Sequence, residues 1–206
     1  KIQNQQYQPG DRLTVRLLSE EFGTSETPVK QALNQLVATG LVVSIPKCGM
    51  KVRTFNFQDM KDNWEARLMV EQFCAVPAVE RVRHDEDFVK HIQDILDISN
   101  HEYGKCIADF TKENFNLLTE HDRMLHTELV KCSRNQQIMN MYNSLNAHSC
   151  MFAGYGCHTP KTLRQVQDQH TEIVNQLLLC DVDGLRKALE SHIYSTVQIY
   201  RSAWKE

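Results

Sequence analysis

Residues 25–53 read SETPVKQALNQLVATGLVVSIPKCGMKVR. Ser25 is a helix N-cap type, and Pro28 suits a first helical turn. Val29, Ala32, Leu33, Leu36 and Val37 recur at helical spacing, and Gly40 ends the pattern. Residues 41–45 form a short apolar β-type run. The turn at 46–49 precedes the alternating residues 50–53, the return strand of a hairpin. Upstream, Pro9-Gly10 is turn punctuation. Thr14 caps a short helix carrying Leu17, Leu18 and Phe22, which Gly23 closes. Two short helices joined by a tight turn, then a hairpin, describe a winged helix-turn-helix over residues 1–55.

Beyond Phe55 the β signal stops. Six helical stretches follow, at about 58–82, 85–101, 112–132, 135–156, 161–180 and 183–203. The breaks fall at His84-Asp85, Gly104, Ser133-Arg134-Asn135, Thr159-Pro160 and Cys180-Asp181. The first stretch carries Trp64, Leu68, Phe73 and Val76, and Pro77 is expected to kink or divide it. Residues 56–206 are thus expected to form an all-α bundle large enough to bury its own core. The fold class is mainly α, a winged helix-turn-helix followed by a helical bundle.

Composition narrows the function classes. With 41% hydrophobic and 24% charged residues, the chain is neither disordered nor fibrous. No apolar stretch approaches a membrane span, and residues 1–20 lack the apolar region of a signal peptide. Seven cysteines, an odd number without a C-x-x-C pair, argue against a disulfide framework or a zinc finger. They read as reduced thiols of a cytoplasmic protein. Residues 1–53 hold seven Lys/Arg against four Asp/Glu, whereas the remainder holds 16 against 22. This asymmetry either marks a nucleic-acid contact at the N-terminal end or is chance.

A helix lying in the major groove reads base edges from its first turns, while Lys and Arg grip phosphates. Thr27, Lys30 and Gln31 are groove-type side chains; Arg16, Lys47 and Lys51 are phosphate-type. In the bundle, Asp122 and His126 are four apart and share a helix face. His170 sits on a stripe with Ile173, Val174 and Leu177, and His192 among Leu185, Leu189 and Ile193. An imidazole on an apolar stripe needs a partner. Three imidazoles and one carboxylate can satisfy each other around one divalent ion. The alternative is a set of separately satisfied core histidines.

The order and spacing of Pro9-Gly10-Asp11-Arg12-Leu13, Ser25-x-Thr27-Pro28-Val29-Lys30-x-Ala32-Leu33, Gly40-Leu41-Val42 and Gly49 resemble the GntR-type transcription regulators. The resemblance implies DNA contacts from Arg16, Ser25, Glu26, Thr27, Lys30, Gln31, Lys47 and the wing Gly49. Two family arginines are replaced, by Glu26 and Lys30. Lys30 keeps the charge without the bidentate fork, and Glu26 can accept from cytosine N4. The family carries one more helix ahead of Pro9, of which only a tail around Lys1-Ile2 is expected here. The body resembles the FCD effector domain of the FadR branch, in its six-helix VanR-like form. Asp122-x-x-Leu125-His126 and Asp168-x-His170-x-x-Ile173 resemble its ligand motifs, with Asp168 in place of Glu, and His192 falls where its last ligand does. The resemblance implies a metal site of Asp122, His126, His170 and His192, holding Zn²⁺ or else Ni²⁺, Mn²⁺ or Fe²⁺. Glu65-x-Arg67-x-x-Val70-Glu71 resembles its first-helix motif, so Arg67 either faces an effector cavity or pairs with Glu71. His148 is a further effector candidate, or a core histidine.

The expected function is a DNA-binding regulator, a repressor, that responds to a small carboxylate docked at a divalent metal. Its partners are a near-palindromic double-stranded operator, the effector and a second copy in a homodimer, with no membrane contact. A sensor for the ion itself is the alternative. A metal-dependent hydrolase fits less well, because no general base or nucleophile accompanies the ligands, so the chain is not expected to be an enzyme.

Overall fold

The computed structural model describes residues 1–2, 6–46, 49–145 and 154–203. The chain divides into two compact units, residues Lys1–Asn56 and Phe57–Glu206. The wing turn at Lys47 and Cys48 and the stretch holding His148 lie outside the described residues.

In the first unit, β1 (Arg12–Leu13) precedes α1 (Val15–Phe22) and α2 (Glu26–Ala38); β2 (Val42–Ile45) and β3 (Gly49–Val52) follow. The strands form one antiparallel sheet in the order β1-β3-β2, with Leu13 opposite Met50 and Val42 opposite Val52. Thr14 accepts from the backbone of Leu17, and Gly23 closes α1 at φ 61°, a left-handed conformation that glycine adopts at no steric cost. Ser25 occupies the N-cap position of α2, but its side chain makes no capping bond. Every element gives the core at least one residue: Leu13, Leu18, Val29, Leu33, Val42 and Val52 are all buried.

Among the described residues the second unit is all helical: α3 (Phe57–His84), α4 (Glu86–Ala108), α5 (Lys112–Lys131), α6 (Gln136–Ser144), α7 (Pro160–Leu178) and α8 (Val182–Ala203). Asp85, Thr111, Asn135 and Thr159 cap α4 to α7 with their side chains. α3 packs on α8, α4 on α5 and α7, and α7 on α8. The mainly α class expected from the sequence is the one found.

Four local expectations are corrected. α3 runs through Pro77 undivided. Cys74, Ala75, Ala78 and Val79 are buried on both sides of it, and that packing outweighs the lost backbone bond. Phe73 and Val76 leave the buried stripe and are exposed, because Trp64, Leu68, Glu71, Ala75 and Ala78 take the inner face. α4 passes Gly104 and reaches Ala108, since Tyr103 and Cys106 continue the buried line of Ile92, Ile95 and Ser99. The helix expected over 135–156 does not reach its end: residues Tyr155–Cys157 form a 3-10 turn. Tyr155 stacks on Phe110 at 4.7 Å and donates its hydroxyl to the Phe110 carbonyl at 2.9 Å, contacts that hold this turn.

Gly154 lies against the Tyr200 ring so closely that a Cβ there would overlap it. Tyr200 is itself fixed edge-on to Trp64 at 4.6 Å. Gly154→Ala should therefore cost about 1–3 kcal/mol. Gly156→Ala, which meets no heavy atom within 4 Å, should leave the thermal midpoint unchanged. Equal midpoints for both variants in thermal denaturation would contradict this packing.

Candidate functional site

Four buried polar side chains meet inside the helical unit. α5 presents Asp122 and His126 one turn apart; α7 supplies His170 and α8 His192. One ligand atom from each lies within 4.8 Å of all the others. His170 Nε2 is 2.9 Å from Asp122 Oδ1, His126 Nε2 is 3.3 Å from His170 Nε2, and His126 Nε2 is 3.9 Å from Asp122 Oδ1. Donors bound to one ion at about 2.0–2.2 Å stand roughly 3–3.5 Å apart, and these separations bracket that range.

Hydrogen bonding points the same way. His126 Nδ1 meets Glu71 Oε2 at 2.9 Å, His170 Nδ1 meets the Tyr103 hydroxyl at 3.4 Å, and His192 Nδ1 meets Gln169 Oε1 at 3.4 Å. Each ring is thus held from outside by its Nδ1. Despite the nearby His170 nitrogen, neither Asp122 oxygen receives an aligned hydrogen bond. One carboxylate and three outward-anchored imidazoles form a donor set that fits a divalent transition ion.

Electrostatics agree. Burial alone would raise the Asp122 carboxyl, but His170, His126 and Arg67 hold it well below the usual carboxylate range. Burial lowers His126, with the Arg67 charge adding to it. Burial, then the neighbouring His170 and His126, lowers His192 well below the ordinary imidazole value. Both rings therefore stay neutral and keep a lone pair to donate.

Arg67 on α3 pairs with Glu71 and also borders a cavity. Its Nε donates to Glu71 Oε1 at 2.6 Å, the expected i,i+4 pair. Its Nη2 stands 3.8 Å from Asp122 Oδ2 and is buried without a hydrogen-bond partner. Arg67 and Asp122 line one small enclosed cavity with Tyr103, Thr119, His158 and His192. His158 Nδ1 is also buried and lacks a hydrogen-bond partner. The cavity, of about 20 Å³, has room for about one water-sized molecule and is edged by a guanidinium nitrogen and an imidazole nitrogen that lack hydrogen-bond partners.

The candidate DNA residues sit on the first unit's surface. Ser25, Glu26, Thr27, Lys30 and Gln31 are all exposed on the opening turns of α2, while Val29 and Leu33 anchor that helix from its inner face. Lys30 Nζ pairs with Glu26 Oε2 at 2.9 Å, and Arg16 Nη1 with Glu20 Oε1 at 3.0 Å. These solvent-exposed pairs are weak enough to be exchanged for phosphate or base contacts. Gly49 opens β3 beside the Arg12 guanidinium.

Residues 1–52 match the gntR family of bacterial regulatory proteins, and residues 62–195 match the FCD domain. The chain belongs to the GntR family of transcriptional regulators. It is 23% identical over 204 residues to the HTH-type transcriptional regulator YdhC of Bacillus subtilis, covering 92% of this chain and 88% of that protein. It is 22% identical over 204 residues to the HTH-type transcriptional repressor GlaR of Escherichia coli, covering 96% and 89%. Among solved structures, E. coli McbR/YncC superposes with a TM-score of 0.78 at 20% identity over 98% of this chain and 92% of that one. A transcriptional regulator of Rhodococcus sp. RHA1 gives 0.76 at 17% identity over 99% and 93%. This GntR regulator therefore carries a helix-turn-helix N-terminus and a FadR-type FCD fold, and its relatives are regulators rather than enzymes.

Sequence reasoning passed over Tyr103, Tyr142, Gln169 and His158 as site residues. The first three reach the site only through tertiary packing. His158 carries an accessible signal, a histidine immediately before the Thr159-Pro160 helix start, but its burial depends on Phe115 and Tyr200, whose rings lie 5.3 and 5.5 Å away.

Burial holds the His158 imidazole down to about 4, with Asp122 pulling weakly the other way. An unfolded histidine titrates near 6.5. The unfolded chain therefore binds this proton first, so the His158 contribution is complete above pH 6.5 and lost as pH falls through about 4. The loss amounts to about 3 kcal/mol. Denaturant titrations from pH 7 to pH 4 should show a shallower acid decline for His158→Phe than for the parent chain. Parallel declines would contradict the buried neutral state.

Proposed function

We propose that this GntR regulator is a metal-dependent, ligand-responsive repressor. A divalent ion, Zn²⁺ in the first place and Ni²⁺, Mn²⁺ or Fe²⁺ as alternatives, is held by Asp122, His126, His170 and His192. When bound, the ion supplies a Lewis-acid dock for a carboxylate oxygen. One observation carries this reading: two of the four donors, Asp122 and His192, line the same cavity as Arg67, whose Nη2 lacks a hydrogen-bond partner. With neutral imidazoles, Arg67, Glu71 and Asp122 leave one net negative charge in the core. A bound divalent ion would make that one net positive charge, which a monocarboxylate would balance. Arg67 orients the second carboxylate oxygen, and His158 meets the effector's remaining polar atom. The relative GlaR is a transcriptional repressor, which supports the same direction of control here.

At the other unit, Ser25, Glu26, Thr27, Lys30 and Gln31 enter the major groove of the operator. Arg16, Lys47 and the backbone around Gly49 hold phosphates. Met69, Phe73 and Val76 form an exposed apolar stripe on α3, bounded by Glu65 and Glu80. This stripe supports pairing of two helical domains into a homodimer that reads a near-palindromic site. A regulator of this kind works in the cytoplasm, where DNA and small carboxylates meet. Effector binding shifts operator affinity by about 5–150-fold.

The test is an operator selected from random duplexes, then fluorescence anisotropy against a panel of small mono- and dicarboxylates. One carboxylate should weaken DNA binding within that range. His170→Ala and metal-stripped protein should bind DNA but lose the response. Lys30→Ala should lower affinity and alter base preference, and Arg16→Ala should reduce the salt slope by about one. A carboxylate response intact in His170→Ala would overturn the metal dock. Unchanged operator binding by Lys30→Ala would overturn the placement of α2.

A further inference from the structure

The carboxylate of Glu71 is fully buried on α3, and its two oxygens do different things. Oε1 accepts from Arg67 Nε at 2.6 Å and from the Tyr142 hydroxyl at 2.8 Å. Oε2 faces His126 Nδ1 at 2.9 Å. A carboxylate beside a guanidinium is ionised and only accepts. The proton of the neutral His126 ring must then sit on Nδ1. Nε2, which points at His170 and Asp122, is left with its lone pair. Tyr142 comes from α6, so α3 and α6 together fix the orientation of a ligand carried by α5. The other two imidazoles have weaker outer anchors, each 3.4 Å from a neutral side chain.

We propose that Glu71 is the positioning residue of the metal centre: it fixes the tautomer and ring orientation of His126 so that Nε2 is delivered to the ion. The inference rests on the metal-centre reading above and extends it to a residue that does not touch the ion. Carboxylate–histidine–metal arrangements raise ligand basicity, and losing the outer partner weakens metal binding about 10–100-fold. The division of labour between the two oxygens makes Glu71→Gln informative. Arg67 and Tyr142 are both donors at the Oε1 position, so they select the amide oxygen there. The amide NH₂ then faces His126 Nδ1 and forces the proton onto Nε2, the atom that should bind metal.

The experiment uses the full chain and zinc. Competition titration should show Glu71→Gln binding Zn²⁺ about 10–100-fold more weakly than the parent. Two-bond ¹H–¹⁵N spectra of metal-stripped protein should place the His126 proton on Nδ1 in the parent and on Nε2 in Glu71→Gln. A merely structural role for Glu71 would not move that tautomer. The spectrum of the parent is decisive even if the variant fails to fold: a His126 proton on Nε2 there overturns the inference. Equal zinc affinity of parent and Glu71→Gln also overturns it, while leaving the centre standing. Zinc binding by the parent no tighter than by His170→Ala removes the centre itself, and the inference with it.

Discussion

Lone pairs turned toward one another inside a protein core repel unless a proton or a cation lies between them. Asp122 and the imidazoles around it are in that position, fully enclosed and each ring anchored from behind. Burying the Asp122 charge costs several kcal/mol even after relaxation, and Arg67 at 3.8 Å and His170 at 2.9 Å offset only part of it. A divalent ion held there, as proposed, would offset part of that cost. α5 contributes two donors from adjacent turns, while α7 and α8, packed against each other, contribute one each.

The same enclosure places Arg67 where it can act on both sides of the site. Through Nε it is committed to Glu71, and through Nη2 it faces the cavity. Its guanidinium is held firmly protonated: burial opposes the charge, but Glu71, then Tyr142 and Asp122, outweigh that cost. An anion arriving at Nη2 therefore meets a cation already fixed in direction, with little reorganisation to perform. Arg67 and Glu71 lie on one helix, so the proposed ligand and the proposed ion would share a mechanical element. The last strand of the DNA-reading unit ends at Val52 and α3 opens at Phe57, with residues 53–56 between them. A ligand that binds two arrangements of α3 with different affinity would bias operator binding in proportion.

What was legible in the sequence was short-range. The reading helix followed from Val29 and Leu33 at helical spacing, and the hairpin from its alternation around the wing turn. The Asp122–His126 pair followed from the helical period alone. What failed depended on tertiary context. β1 is only two residues long, too short to show an alternation, and exists because β3 pairs with it. α4 continues past Gly104 because residues beyond it have a core to enter. Phe73 looks like core by composition, but the buried Glu71 and its partners take the inner face instead. The Glu71–His126 bond joins residues 55 apart, and no local pattern announces it. Nor does any local pattern announce that His158, just ahead of a helix, turns inward.

The most direct test is an anomalous-diffraction measurement on crystals of the purified protein, with data collected on either side of the zinc edge and, failing that, the nickel, manganese and iron edges. A single strong peak should lie among Asp122, His126, His170 and His192, at about 2.0–2.2 Å from one atom of each. An absence of any peak at all four edges, with the imidazoles hydrogen-bonded to one another and to Asp122, would contradict the account.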